Sequence, residues 1–230
     1  MPVKKAVDDP KKMTKSALRR QREREKRFET ILRAAETLFA KEGFHKASME
    51  QIADAAEVSV GAVYFYFKNK EDLLIRMMDE IGYLLRSILG REFKNHGGTL
   101  EGFKKAGYAF FEDFCVNYPE QAAILFRESV GKSDLVEQRR KAIFDKCTSD
   151  VLQALNTVSR NQKVAFKGRF SAEVIAVSIM GIYERVAYHY LLWQDRSRDL
   201  TDIGRDAVAF IAGGVSNLFE EPKQEGADGK

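Results

Sequence analysis

The sequence predicts an all-α protein, and three observations carry that reading. Only four prolines interrupt 230 residues. Apolar residues recur at helical spacing, with no sustained alternation. Most apolar runs open on a capping residue, as at Ser48, Ser59, Asn69, Thr99, Ser133 and Ser171. The expected architecture is an N-terminal three-helix domain with a helix-turn-helix, followed by a C-terminal helical bundle. The expected segments are a basic arm over 1–24, the helix-turn-helix domain over 25–75, a helical bundle over 76–219, and a disordered tail over 220–230. With 44% hydrophobic residues the chain can bury a substantial core.

Charge is unevenly spread. Residues 1–27 hold eleven Lys or Arg and four acids, a net +7, which leaves −3 for the remainder against +4 overall. Composition marks the first stretch as an arm that either solubilises the protein or tracks phosphates beside a main contact. From Arg19 onward it is expected to run into a helix whose Ile31, Ala34, Ala35, Leu38 and Phe39 share one side, ending at Gly43.

Ser48-Met49-Glu50-Gln51 is a capping box. It opens a short helix whose Ile52, Ala53 and Ala56 are spaced to pack, with Val58 and Val63, across a turn against a second short helix capped by Ser59. That second helix begins with the small residues Val60, Gly61 and Ala62, so its N-terminal end can approach another surface closely. Tyr64, Phe65, Tyr66 and Phe67 follow in a row. Successive helical residues point about 100° apart, so some of these rings must face out. A tyrosine hydroxyl there can reach a phosphate. Lys68 and Lys70 flank Asn69, which caps a third helix with Glu71 and Asp72 in its first turn. This pattern reads as a DNA-contacting surface of Ser48, Ser59, Val60, Gly61, Ala62, Tyr64, Phe65, Tyr66, Lys68 and Lys70, and makes double-stranded DNA the expected partner.

The residues from Phe28 to Leu74 resemble the DNA-binding domain of the TetR family of bacterial transcriptional regulators. The resemblance rests on Ala34-Ala35, Leu38-Phe39, Gly43-Phe44, Ser48, Ile52-Ala53 and the run Val58-Ser59-x-Gly61-x-x-Tyr64-x-Tyr66-Phe67-Lys68-x-Lys70. Two positions depart from the family pattern: Val60 stands where a polar residue is common, and Ala62 where threonine or serine is. Base readout would then lean on Gly61, Tyr64, Phe65 and DNA shape. The resemblance implies a ligand-responsive, homodimeric regulator, most often a repressor, whose C-terminal helices dimerise.

Beyond this region the helix begun at Lys70 should continue to about Asn95 and join the two domains mechanically. The helices after Thr99, Pro119 and Ser133 are crowded with rings. For any single ring, core packing is the default. Phe103, Phe110, Phe114, Arg127, Phe144, Tyr183 and Glu184 are the candidates for contact with a lipophilic or aromatic effector, an acyl chain included. The helix from Ser171 is apolar on nearly all sides, which implies burial against both its own core and a partner. With the last helix, roughly 199–219, it is expected to form a four-helix dimer interface, and Phe210, Ile211, Gly214, Val215 and Leu218 are the candidate contacts.

No cofactor or metal is expected: Cys115 and Cys147 lack ligand spacing, and Glu42-x-x-His45 contains a helix-breaking glycine and has no second copy. The cysteines read as free thiols of a reducing cytoplasm, the N-terminus is too polar for a signal peptide, and Glu184, Arg185 and His189 break the longest apolar run, so no membrane contact is expected. Two rival classes remain in view. One is a dimeric DNA-binding protein that ignores ligands. The other is a helical-bundle enzyme, for which the sequence offers no nucleophile–base set or phosphate loop.

Overall fold

A computed structural model of the protein describes residues 14–194 and 199–220. By its internal contacts the chain divides into one unit up to Leu73 and a second from Leu74. The described elements are helical; the one β feature among them is an isolated bridge between Phe166 and Phe219.

The first unit opens on α1, Lys15–Glu42. Thr14 caps it, its hydroxyl accepting from the Ala17 amide at 3.2 Å. Arg19 pairs with Glu23 and Gln21 with Glu25, each one turn on. The helix expected from Arg19 thus begins earlier, at Lys15, inside the segment 1–24 assigned to an arm, and 1–13 lie outside the described residues. The inner half of α1 buries Ile31, Leu32, Ala35 and Phe39. It ends at Gly43, whose φ of 87° belongs to the left-handed side that glycine adopts without strain.

The next two helices are α2, Met49–Ala55, and α3, Val60–Tyr66. Ile52 and Ala53 of α2 and Val63 of α3 are fully buried. Phe67, at the end of α3, is likewise closed to solvent and stacks on Phe28 with centroids 5.1 Å apart. Between the helices Glu57 takes φ 54° and the Val58 amide returns to the Ala53 carbonyl, which sharpens the turn. A non-glycine residue held in this region costs roughly 1–2 kcal/mol.

Helix α4, Lys70–Asn95, is continuous; its first turn belongs to the first unit and the rest to the second. The second unit continues with α5, Leu100–Ala109, which runs into a π-helical turn over Phe110–Cys115, and with α6, Pro119–Ala123, which runs into another over Ile124–Glu128. Then come α7, Asp134–Gln162, and α8, Ser171–Ala187, which widens over Tyr188–Trp193. The last helix is α9, Leu200–Asn217. Each π turn is closed by an amide bonding five residues back: Val116 to Phe111, Ser129 to Ile124 and Gln194 to His189.

The core of this unit is aromatic. Phe110, Phe111, Phe114 and Phe126 are buried, and Tyr183 stacks on Phe110 at 4.9 Å. Helix α9 lies directly on this cluster, since a Cβ at Gly204 would stand 2.6 Å from Phe111. The end of α9 is pinned where the Lys167 amide donates to Leu218 O and the Glu220 amide to Ala165 O. The tail expected to be disordered thus begins with an anchored Glu220; residues 221–230 lie outside the described residues.

Candidate nucleic-acid interface and ligand cavity

Ser59 caps α3 by accepting from the Ala62 amide at 3.2 Å. Because Val63 and Phe67 turn into the domain, the opposite side of α3 is left to solvent: Tyr64 is 49% and Phe65 67% exposed. Burying such rings is worth ~1.5–3 kcal/mol each, so leaving both outside points to a surface that meets something. Gly61 is exposed with no atom within 4 Å of a Cβ built there, and Val60, Ala62 and Tyr66 are half-buried. Ser48 completes its capping box, with Gln51 N to Ser48 Oγ at 3.2 Å and Ser48 N to Gln51 Oε1 at 2.8 Å. Lys68 is exposed.

Lys70 departs from its expected phosphate contact. Its ammonium donates to the carbonyls of Ala47 at 2.8 Å and His45 at 3.2 Å and sits over the Phe44 ring. It is a strut fixing the start of α4 to the loop before α2. A neighbour that sequence reasoning missed takes part instead: the Arg24 guanidinium of α1 lies 5.4 Å from the centroid of Phe65. This contact brings the basic half of α1, with Arg20, Arg24 and Arg27 all exposed, beside the open face of α3.

The second unit contains a cavity of about 530 Å³, within the range of small-molecule sites. Its wall comes from α4 (Tyr83, Arg86, Gly90, Phe93 and Lys94), α5 (Phe103, Gly107), α7 (Cys147, Asp150, Ala154) and α8 (Ile179, Met180, Tyr183). Of the expected effector contacts, Phe103 and Tyr183 line it. The others are corrected. Phe110 and Phe114 are core, packed against Tyr183, Phe111 and Phe126. Arg127 is paired with Glu128 at 2.6 Å, and Phe144 lies under the Arg140 guanidinium. Glu184 holds Arg140 at 2.5 Å at a separate, shallower hollow beside Trp193.

The charged groups of the main cavity are Lys94 and one ion pair. Arg86 Nε and Nη2 donate to Asp150 at 2.5 and 3.0 Å. Burial pushes the neighbouring Cys147 thiol up to about 11, and it also raises the Tyr183 hydroxyl well above its ordinary value, so both are neutral at pH 7.

On α8 and α9 the structure separates residues that the sequence grouped. Ile211 and Val215, expected at a dimer interface, are buried in the chain's own core, because they fall on the inner side of α9. Phe210 is 74% exposed, and Gly214 and Leu218 are also exposed. Phe170, Val174 and Val177 add large apolar surface along α8. Among the described residues no group of three or more His, Cys, Asp or Glu is placed to hold a metal, and no helix is long and apolar enough to cross a membrane.

A capped helix pair with an open, ring-bearing second helix, followed in the chain by a separate all-α unit with a cavity, defines a helix-turn-helix transcriptional regulator. Residues 31–77 match the model of bacterial regulatory proteins, tetR family. The chain is 27% identical over 195 residues, 85% of each chain, to the HTH-type transcriptional activator FasR of Mycolicibacterium smegmatis. Its fold is shared with the fatty acid degradation regulator FadR of Bacillus halodurans, at 22% identity, TM-score 0.72 and coverage of 82% of this chain and 95% of that one. It is shared too with FadR of Bacillus subtilis, solved in complex with stearoyl-CoA, at 19% identity, TM-score 0.70 and coverage of 81% and 98%. The first unit is thus a TetR-family DNA-binding domain, and the chain is similar to TetR-family transcriptional regulators over most of its length.

Proposed function

We propose that the protein is a homodimeric repressor, released from an inverted-repeat operator by a lipophilic small molecule. The observation that carries this reading is the pairing of an open α3 face in one unit with a ring-lined cavity in the other. Each subunit sets α3 in a major groove. Gly61 brings backbone close to the bases, Tyr64 and Phe65 meet base edges or sugars, and Ser48, Ser59, Tyr66 and Lys68 hold phosphates. A two-fold axis presents two such helices about one DNA turn apart, ~34–36 Å, or somewhat more. The exposed apolar residues of α8 and α9, Val174, Val177 and Phe210, with the open Gly213 and Gly214 allowing close approach, support a partner subunit on that side.

The cavity's size and its aromatic wall support an effector with a substantial apolar body. The stearoyl-CoA bound by the Bacillus subtilis structure supports an acyl chain as that body. An effector shifts the equilibrium only by binding the non-DNA geometry better than the other.

The test is selection of bound duplexes from random DNA by the parent and by a Tyr64→Ala, Lys68→Ala variant. An inverted repeat enriched by the parent and lost in the variant supports the reading. Enrichment of nothing, or of the same repeat by both, removes it. A reporter driven through the selected repeat then fixes the sign of regulation, which matters because the relative FasR is named an activator.

A further inference from the structure

The position of the Arg86–Asp150 pair says more than that the cavity has a polar spot. Helix α4 crosses α7 at Gly82, where a Cβ would stand 2.8 Å from Ile143 Cγ2, so the two helices are as close there as a glycine permits. An arginine–aspartate fork lies on each side of the crossing. On one side Asp79 of α4 accepts from both Nε and Nη2 of Arg139 on α7, away from the cavity wall. On the other, Arg86 of α4 is held by Asp150 of α7, and both residues are part of the wall. Only the second fork is within a ligand's reach.

The wall is also unbalanced in charge. Arg86 and Lys94 are cationic and Asp150 is its one anion, while the cysteine and tyrosine beside them are uncharged. Arg86, Gly90 and Lys94 follow each other at successive turns of α4 and so share one side. Gly90, between the two cations, has no atom within 4 Å of a built Cβ, which leaves room beside them for a head group. Phe103, Ile179 and Met180 supply the apolar remainder.

We infer that the effector is a monoanionic amphiphile whose head group takes Arg86 from Asp150 and thereby unlocks α4 from α7. This rests on the effector reading above. A carboxylate presents two coplanar oxygens and fits the guanidinium fork as Asp150 does. The Asp150 side chain is 45% exposed and can turn to water when displaced. A neutral head group offers no such exchange, and a cationic one meets the excess positive charge of the wall. With Asp150 released, the crossing keeps the Asp79–Arg139 fork and the Gly82 contact as a pivot. Helix α4 is then free to tilt about it, and the first turn of α4 belongs to the DNA-binding unit.

The experiment is calorimetric titration of the full-length protein with dodecanoate, dodecanol and dodecylamine below their micelle concentrations, at a pH where the acid is ionised and the amine protonated. Dodecanoate is expected to bind at least about tenfold tighter than dodecanol, with dodecylamine weakest. Arg86→Gln should bring acid and alcohol to the same affinity. Asp150→Asn should raise the preference for the acid over the alcohol by removing the acid's competitor; if Arg86→Gln fails to fold, this variant and the parent comparison decide. Equal binding of acid and alcohol by the parent, or an acid preference that survives Arg86→Gln, overturns anion selection and leaves the effector reading standing. Binding of none of the three overturns the effector reading and this inference with it.

Discussion

The two units place their functional surfaces in opposite ways. The DNA-binding unit spends its buried residues, Ile31, Phe39, Ile52, Val63 and Phe67, on holding three helices, and turns its candidate contact residues Tyr64 and Phe65 outward on α3. The second unit keeps its candidate ligand surface inside, in a gap that Phe103, Ile179 and Tyr183 border and do not fill. A reading head needs a rigid scaffold under exposed groups, whereas a sensor needs an interior that packs incompletely. Close packing elsewhere in the second unit, as at Gly204 against Phe111, shows that the gap is local.

The largest way to break this comparison is to remove the scaffold of one unit alone. Phe67→Ala deletes a fully buried ring and should cost about 3–5 kcal/mol, abolishing DNA binding while calorimetric ligand binding survives. Loss of both activities together would show that the units do not fold separately.

Next comes the basic half of α1. Neutralising Arg20, Arg24 and Arg27 to alanine should lower the slope of log affinity against log salt by about 0.9 for each phosphate that these side chains neutralise. The selected operator sequence should not change, because phosphate contacts position without reading bases. An altered sequence preference would place one of these arginines in a groove.

Filling the gap should do the reverse of the first change. Gly90→Leu enters open space within the cavity, so ligand affinity should fall about tenfold or more with DNA binding intact. Unchanged ligand affinity would move the site elsewhere. Smaller still is Glu57→Gly, which relieves a left-handed residue in the turn and should raise stability by at most about 1 kcal/mol, read as a higher melting temperature. Cys147 gives a pH effect. Its folded value of about 11 lies above the ordinary 9.0, so the unfolded chain loses its proton first. Its contribution is complete below pH 9.0 and drains away as pH rises toward about 11. Cys147→Ser should flatten that part of the stability curve.

The DNA-binding unit was largely legible because its signals are local. The Ser48–Gln51 box, the Ser59 cap and the Asn69 cap each lie within four residues of what they bond. The same locality would have carried the helix expected from Arg19 back to Lys15, through the Thr14 cap, had composition not been weighed above capping. Lys70 was misread for the opposite reason, since its partners lie 23 and 25 residues upstream. The cavity was least legible of all. A ring that borders a gap and one that fills a core, such as Phe103 and Phe110, look alike in sequence. The usable trace was the Arg86, Gly90, Lys94 series, two cations and a glycine on one side of a helix expected to be mostly apolar.

The burial of the two cysteines has a practical side. Cys115 and Cys147 are both enclosed and held in the unreactive thiol form, so alkylating reagents near neutral pH should pass them by. A single cysteine introduced at an exposed α4 position away from the cavity, such as Arg76, would therefore take a spin label or dye selectively in the otherwise natural chain. The molecule arrives prepared for spectroscopic rulers, which can follow α4 in solution with and without ligand and without first stripping out its own sulfur.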